Sequence, residues 1–150
     1  GMSASGFPSD MGQVYIGLLD HSQNTIKRVF EAMADTAGCV LFHCTAGKDR
    51  TGVTAMLLLD LAGADEDLIV EDYAATALYL NPHLKDQLAM LKKMGIQDPD
   101  AVLGSPKSNM IRTLDHLRKT YGSAEKYLRQ IGLSGAKIEV LKESLRERVE

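Results

Sequence analysis

The sequence predicts an α/β domain with few strands and a mainly helical C-terminal region. Three observations carry that expectation. The run Cys39-Val40-Leu41-Phe42-His43 is apolar on both faces and bounded by turn residues, which reads as a buried strand inside a parallel sheet. Helical spacing of apolar residues dominates almost everything after it. The chain has 150 residues, 45% hydrophobic and 25% charged, enough for one domain with a single core and no disulfide staples.

Taken in order, Gly1 to Gly12 is rich in Gly, Ser and Pro and carries no periodicity, so it reads as a loose arm. Gly1 before Met2 has the look of an expression scar. Residues 13–150 form the expected single domain. Val14 to Leu19 is a short apolar run that suits a strand or a helix entry equally. From Ser22 the apolar positions Ile26, Val29, Phe30, Met33 and Ala37 follow helical spacing, and Gly38 stops that helix. After the strand, Thr51 to Ala62 reads as a helix closed by Gly63, and Asp65 opens another that runs to about Leu80. Asn81-Pro82 and Ser105-Pro106 are both start signals, closed by Gly95 and Gly122. Ser123 caps a short helix through Ile131. A last helix carries Ile138, Leu141, Leu145 and Val149 on one stripe.

The net charge of −3 argues against a nucleic-acid partner. No apolar run reaches the length of a membrane span, and no signal peptide is evident, so the expected location is cytoplasmic, with export of a longer form as the alternative. Cys39 and Cys44 are too few for a disulfide framework, and the histidines are too scattered to complete a zinc site with them. His21, His83 and His116 read as surface residues, and Met90, Met94 and Met110 as core filling. A lone strand cannot satisfy its own backbone. It needs the Val14–Leu19 run or another chain beside it, which predicts a homodimer that shares elements.

The chemistry lies in His43-Cys44-Thr45-Ala46-Gly47-Lys48-Asp49-Arg50-Thr51-Gly52. A strand enters a turn and the turn enters a helix, so backbone amides and the helix N-terminus together form an anion cradle. Cys44 sits at its start, where amides, helix dipole and Arg50 favour a thiolate. Such a thiolate at the floor of a phosphate-sized cradle suits in-line attack on phosphorus, with a phosphocysteine intermediate that water hydrolyses. Arg50 can hold two phosphate oxygens through its planar fork. Thr45, Ala46, Gly47, Lys48 and Asp49 would supply the rest of the cradle. Neither metal nor cofactor is required. A Walker-type nucleotide loop does not fit, because Phe42 stands where its first glycine belongs and aspartate follows the lysine.

His-Cys-x5-Arg-Thr-Gly resembles the signature of the protein tyrosine phosphatase superfamily. The fuller string HCTAGKDRTG is similar to a bacterial branch that includes dual-specificity and phosphoinositide phosphatases. Glu71-Asp72-Tyr73, Tyr121-Gly122-Ser123 and Tyr127-Leu128 resemble that branch's helical C-terminal region, so the likeness covers most of Met11 to Glu150. The resemblance implies a phosphatase-like core, Cys44 as nucleophile and Arg50 as phosphate clamp. It implies that Thr51 hydrogen-bonds the sulfur, His43 orients the loop, and Lys48 suits a highly charged inositol phosphate as well as a phosphotyrosine. In that branch the aspartate beside the arginine, Asp49, acts as general acid. Other branches place the acid on an upstream loop, which here leaves Asp10 or Asp20. Members usually carry a larger N-terminal portion holding most of the sheet, whereas 43 positions precede Cys44 here. The expected substrates are a phosphorylated protein or a phosphoinositide. A phosphate-binding relic without turnover is the competing reading, and thiol redox or sulfur transfer is a weaker third. Cys39 reads as an inert core residue.

Overall fold

The structure, a computed structural model, describes residues 10–146. Nine α-helices order these residues: α1 (Met11–His21), α2 (Gln23–Asp35), α3 (Asp49–Ala62), α4 (Glu66–Leu80), α5 (Lys85–Lys93), α6 (Pro99–Leu103), α7 (Lys107–His116), α8 (Ala124–Gln130) and α9 (Gly135–Leu145). A 3₁₀ turn at Asn81–His83 joins α4 to α5, and a π-helical turn at Leu117–Tyr121 follows α7. Side chains start several of these helices, Ser123 as the sequence suggests. Asp10 accepts from the Gln13 amide, Ser123 from Lys126 and Ser134 from Lys137, each satisfying a free first-turn N–H. Gly63, at φ 91°, closes α3 in the left-handed conformation that other residues avoid.

The α/β expectation is overturned: no strand forms among the described residues, and the architecture is all-helical there. Residues 39–43 are irregular, with Val40 37% and Leu41 88% exposed. The reason is pairing. A strand needs a neighbour for its N–H and C=O groups, and the candidate Val14–Leu19 run lies instead within α1. Cys39 is therefore exposed rather than core. Met110 is buried as expected, but Met90 and Met94 face outward. Met11 and Gly12, placed in the expected arm, begin α1; residues 1–9 of that arm lie outside the described residues. Val149, on the expected last stripe, also lies outside them.

Helix α3 is central, packing against α1, α4, α8 and α9, while α7 lies against α1 and α4. Tyr15, Leu57, Met110, Leu117, Tyr127 and Leu128 are fully buried at these crossings. Ser105, read as a helix cap, does something else. Its hydroxyl accepts from the Ala77 amide (2.9 Å) and donates to the Ala74 carbonyl (3.0 Å), tying the start of α7 to the last turns of α4. Asp60 and Arg118 add a second tie. The guanidinium grips both carboxylate oxygens in a fork, and Asp60 also accepts from the Ala124 amide at 2.8 Å. With its side chain 8% exposed, Asp60 joins the end of α3 to the π turn and the start of α8. These ties hold α3, and with it the loop at its N-terminus, against the rest of the bundle.

Candidate active site

The loop 44–48 runs into the first turn of α3, so the amides that no helical carbonyl can satisfy point back over the loop. Gly47 adopts φ 69°, a left-handed turn that folds the chain around Cys44. Gly52 lets α3 approach α4, since a Cβ there would lie 3.2 Å from the Tyr73 ring.

Cys44 sits in this turn, half-buried. Burial alone pushes its thiol up. The Thr51 hydroxyl and the backbone N–H groups of Thr51, Gly47 and Lys48 outweigh that, bringing it down to about 6. Thr51 Oγ1 is buried and meets no other hydrogen-bond partner. The thiolate is the acceptor that satisfies it, so the two groups stabilise the charged form together. The main charge-stabilising contacts are Thr51 and the loop amides rather than the Arg50 guanidinium to which the sequence also pointed.

Arg50 projects from the first turn of α3 and donates from Nη2 to Thr45 Oγ1 at 3.0 Å, so the fork lies over the loop. The His43 ring lies 3.1 Å, through Nδ1, from the Cys44 carbonyl. His43 is exposed, and its contact is with the loop backbone rather than the sulfur. Thr45, Ala46 and Gly47 form the exposed crest of the turn.

Lys48 is the unexpected member. It is 3% exposed, and its ammonium donates to the carbonyls of Val102 (2.5 Å) and Gly104 (3.0 Å) while lying 3.2 Å from Asp49 Oδ1. It faces inward as a strut between the loop and the end of α6, and its backbone amide is what serves the sulfur. Asp49 is the first residue of α3, a place where the helix dipole favours negative charge. Its Oδ1 also accepts from the hydroxyl of Tyr15 on α1.

The other carboxylates weighed as acids are engaged elsewhere. Asp10 caps α1 and is held by Arg112 through both oxygens, at 2.9 and 2.8 Å. Asp20 accepts from Tyr121 at 2.6 Å and pairs with His116 Nε2 at 2.9 Å, so His116 is a half-buried partner rather than an idle surface residue.

Beside the thiol lies a cavity of about 290 Å³ whose walls include Cys44, Arg50 and Thr51 on one side. Leu18, Ile26, Phe30 and Leu57 form much of the remainder. Among the described residues no three His, Cys, Asp or Glu side chains gather as metal ligands. No described helix is long and apolar enough to cross a membrane.

Tyr15, Tyr73 and Asn109 extend the site beyond the residues that the loop string singles out. The one signal was Tyr73 within Glu71-Asp72-Tyr73, which carries a hydroxyl to 2.8 Å from that of Tyr15.

A thiolate cradled by amides, a guanidinium over the same turn and a carboxylate at the helix start form a constellation for phosphoryl chemistry. Comparison with known proteins agrees. The model of the tyrosine phosphatase family matches residues 3–147. A tyrosine-protein phosphatase of Nostoc commune is 42% identical over 144 residues, covering 91% of this chain and 49% of that protein. A triple specificity protein phosphatase of Mycobacterium tuberculosis is 30% identical over 131 residues, covering 78% of this chain and 47% of its own length. The chain thus spans about half the length of these curated relatives. On the match of nearly its whole length, this chain belongs to the tyrosine phosphatase family.

Proposed function

We propose that this chain carries the catalytic centre of a cysteine-dependent phosphatase that hydrolyses phosphomonoesters through a phosphocysteine intermediate. The observation that carries the reading is the half-buried Cys44 in a turn where the Thr51 hydroxyl and the amides of Gly47, Lys48 and Thr51 surround its sulfur and bring the thiol down to about 6. At neutral pH the sulfur is then mostly thiolate without any separate base. In the first step the sulfur forms a bond to phosphorus as the P–O bond to the leaving group breaks. The departing oxygen keeps the electron pair and takes a proton from Asp49. Loop amides and the Arg50 fork hold the three non-bridging oxygens, where charge concentrates during transfer. In the second step water attacks phosphorus, gives a proton to Asp49 and releases the Cys44 thiolate, which Thr51 stabilises.

Phosphotyrosine is the leading substrate. Phosphoserine, phosphothreonine and phosphoinositides are the further candidates, in keeping with the triple specificity named for the mycobacterial relative. The inward-facing Lys48 ammonium argues for the protein substrates over the inositol ones, since it is committed to carbonyls and Asp49. Residues 13–150 act as one unit in this reading. The test is hydrolysis of an aryl phosphate by the purified protein without added metal, inhibited by vanadate. Vanadate binding with no turnover would overturn the enzyme reading in favour of a phosphate-binding relic.

Asp49→Asn tests the acid. Loss of a proton donor matters most where the leaving oxygen is basic, so an alkyl phosphate should slow by about 10²-fold. Nitrophenyl phosphate, whose leaving group departs without help, should slow far less. Steady-state rates over a series of leaving groups check this. An equal effect across the series removes Asp49 from that role.

The homodimer expected from sequence has a physical basis in Val29, which lines the cavity and is partly exposed, and in the exposed Val40 and Leu41. We propose that a second copy covers them. Light scattering at micromolar concentration should give twice the 16.4 kDa chain mass. A monomeric mass overturns it, and Leu41→Lys should return a dimer to monomer.

A further inference from the structure

Asp49 has two oxygens, and the fold spends one of them. Oδ1 accepts from the Tyr15 hydroxyl and lies 3.2 Å from the Lys48 ammonium. Tyr15 is wholly buried, and its own hydroxyl is 2.8 Å from that of Tyr73. Tyr73 in turn receives a hydrogen bond from Asn109 Nδ2 at 3.2 Å.

The chemistry of the two ends fixes the direction of this chain. An amide nitrogen only donates, and Asp49 Oδ1 accepts whether the group is a carboxylate or an acid with its proton on Oδ2. Asn109 therefore donates to Tyr73, Tyr73 to Tyr15, and Tyr15 to Asp49. Burial and the neighbouring carboxylate push the Tyr15 hydroxyl well above the usual phenol range, so it stays protonated and remains a donor. The rings meet edge to face at 5.7 Å, which fixes both hydroxyls without relying on flexible side chains. Three elements distant in sequence, α1, α4 and α7, thus converge on one oxygen of one carboxylate.

We propose that Tyr15 is the positioning residue of the general acid: it holds Asp49 Oδ1 so that Oδ2 delivers the proton, and Tyr73 and Asn109 fix its direction. The assignment rests on Asp49 being the acid, as proposed above. When the Asp49 O–H bond breaks and the leaving oxygen takes the proton, negative charge grows on the carboxylate. The Tyr15 hydrogen bond strengthens as that charge grows, so it contributes more in the transition state than before it. The Lys48 ammonium lies 3.2 Å from the same oxygen.

Tyr15→Phe removes the hydroxyl and keeps the ring. Expected is about a tenfold loss of kcat on alkyl phosphates and under about twofold on nitrophenyl phosphate, a weaker copy of Asp49→Asn. The double variant should be no slower than Asp49→Asn alone, because both changes remove one function. Tyr73→Phe, one link back, should give a smaller effect of the same kind. A readout independent of turnover is the Asp49 carboxyl ¹³C resonance, which should move in Tyr15→Phe and stay in Tyr121→Phe, whose hydroxyl serves Asp20. Cys44 alkylation against pH reports whether the loop survives each change. If that profile collapses in Tyr15→Phe, Tyr73→Phe and the ¹³C shift decide. A uniform slowing across leaving groups, additive effects in the double variant, or an unmoved Asp49 resonance would each overturn the assignment. A flat leaving-group dependence in Asp49→Asn itself would remove the acid reading first, and the assignment with it.

Discussion

Cys44→Ser is expected to abolish turnover, by at least about 10⁴-fold, while leaving the fold and oxyanion binding in place. The replacement is nearly isosteric, and what it removes is the ionisable sulfur. A thiol near pH 6 is mostly charged at neutrality, whereas a serine hydroxyl in the same turn stays neutral. The sign of the pH dependence follows from the reacting form. Deprotonation creates the nucleophile, so alkylation by iodoacetamide rises as pH increases through about 6, then levels off, whereas kcat/KM also depends on the protonated acid and follows a bell. Thr51→Ala should move that midpoint up toward the ordinary thiol range, since the hydroxyl is the largest of the contacts that favour the charged form. An alkylation midpoint at the ordinary thiol value in the unmodified protein would remove the nucleophile, and the proposed mechanism with it. Residual turnover in Cys44→Ser comparable to the unmodified protein would do the same.

The site was more legible in the sequence than the fold, for a physical reason. A phosphate cradle is local: ten consecutive residues, a glycine at the sharp turn and a helix start suffice to place amides around one atom, so Cys44 and Arg50 stand out from spacing, while Thr51 enters through the family resemblance. A strand is not local. The Cys39–His43 run has the composition of a buried strand, yet its backbone is satisfied only by neighbours, and the described residues supply none. The helices were readable where caps and stops coincide with apolar spacing, as in α3, α4 and α8. Ser105-Pro106 marks a boundary, but the Ser105 hydroxyl is not a cap, because the fold brings the last turns of α4 to it. The same limit applies to the residues around Asp49. Lys48 looks like a loop charge until α6 offers it two carbonyls. Tyr15 looks like one more apolar position until α1 lies beneath the loop, 34 residues from the carboxylate it bonds. Pairs that far apart leave no trace in spacing.

Arg50→Lys is the second large effect, and it separates charge from geometry. Both side chains are positive, so a site that needs only charge would tolerate the change. A transferring phosphoryl group asks for more: two oxygens in a plane, each with a donor aimed at it. The guanidinium offers parallel N–H groups on a stem already oriented by its bond to Thr45 at 3.0 Å, while an ammonium offers one point of contact and a shorter reach. The expected loss in kcat/KM is about 10²–10³-fold, corresponding to about 2.7–4 kcal/mol, the scale for one preorganised donor removed from a developing oxyanion. Vanadate affinity should fall in parallel, because it places oxygens where the transition state has them. The Cys44 alkylation midpoint should stay near 6, since Thr51 and the loop amides are its main stabilising contacts. That combination is diagnostic. A large fall in rate with the thiol unchanged assigns Arg50 to the phosphoryl oxygens. An upward move of the thiol together with the rate would assign it to the sulfur instead, and full activity in Arg50→Lys would leave the cradle's amides as its only working part.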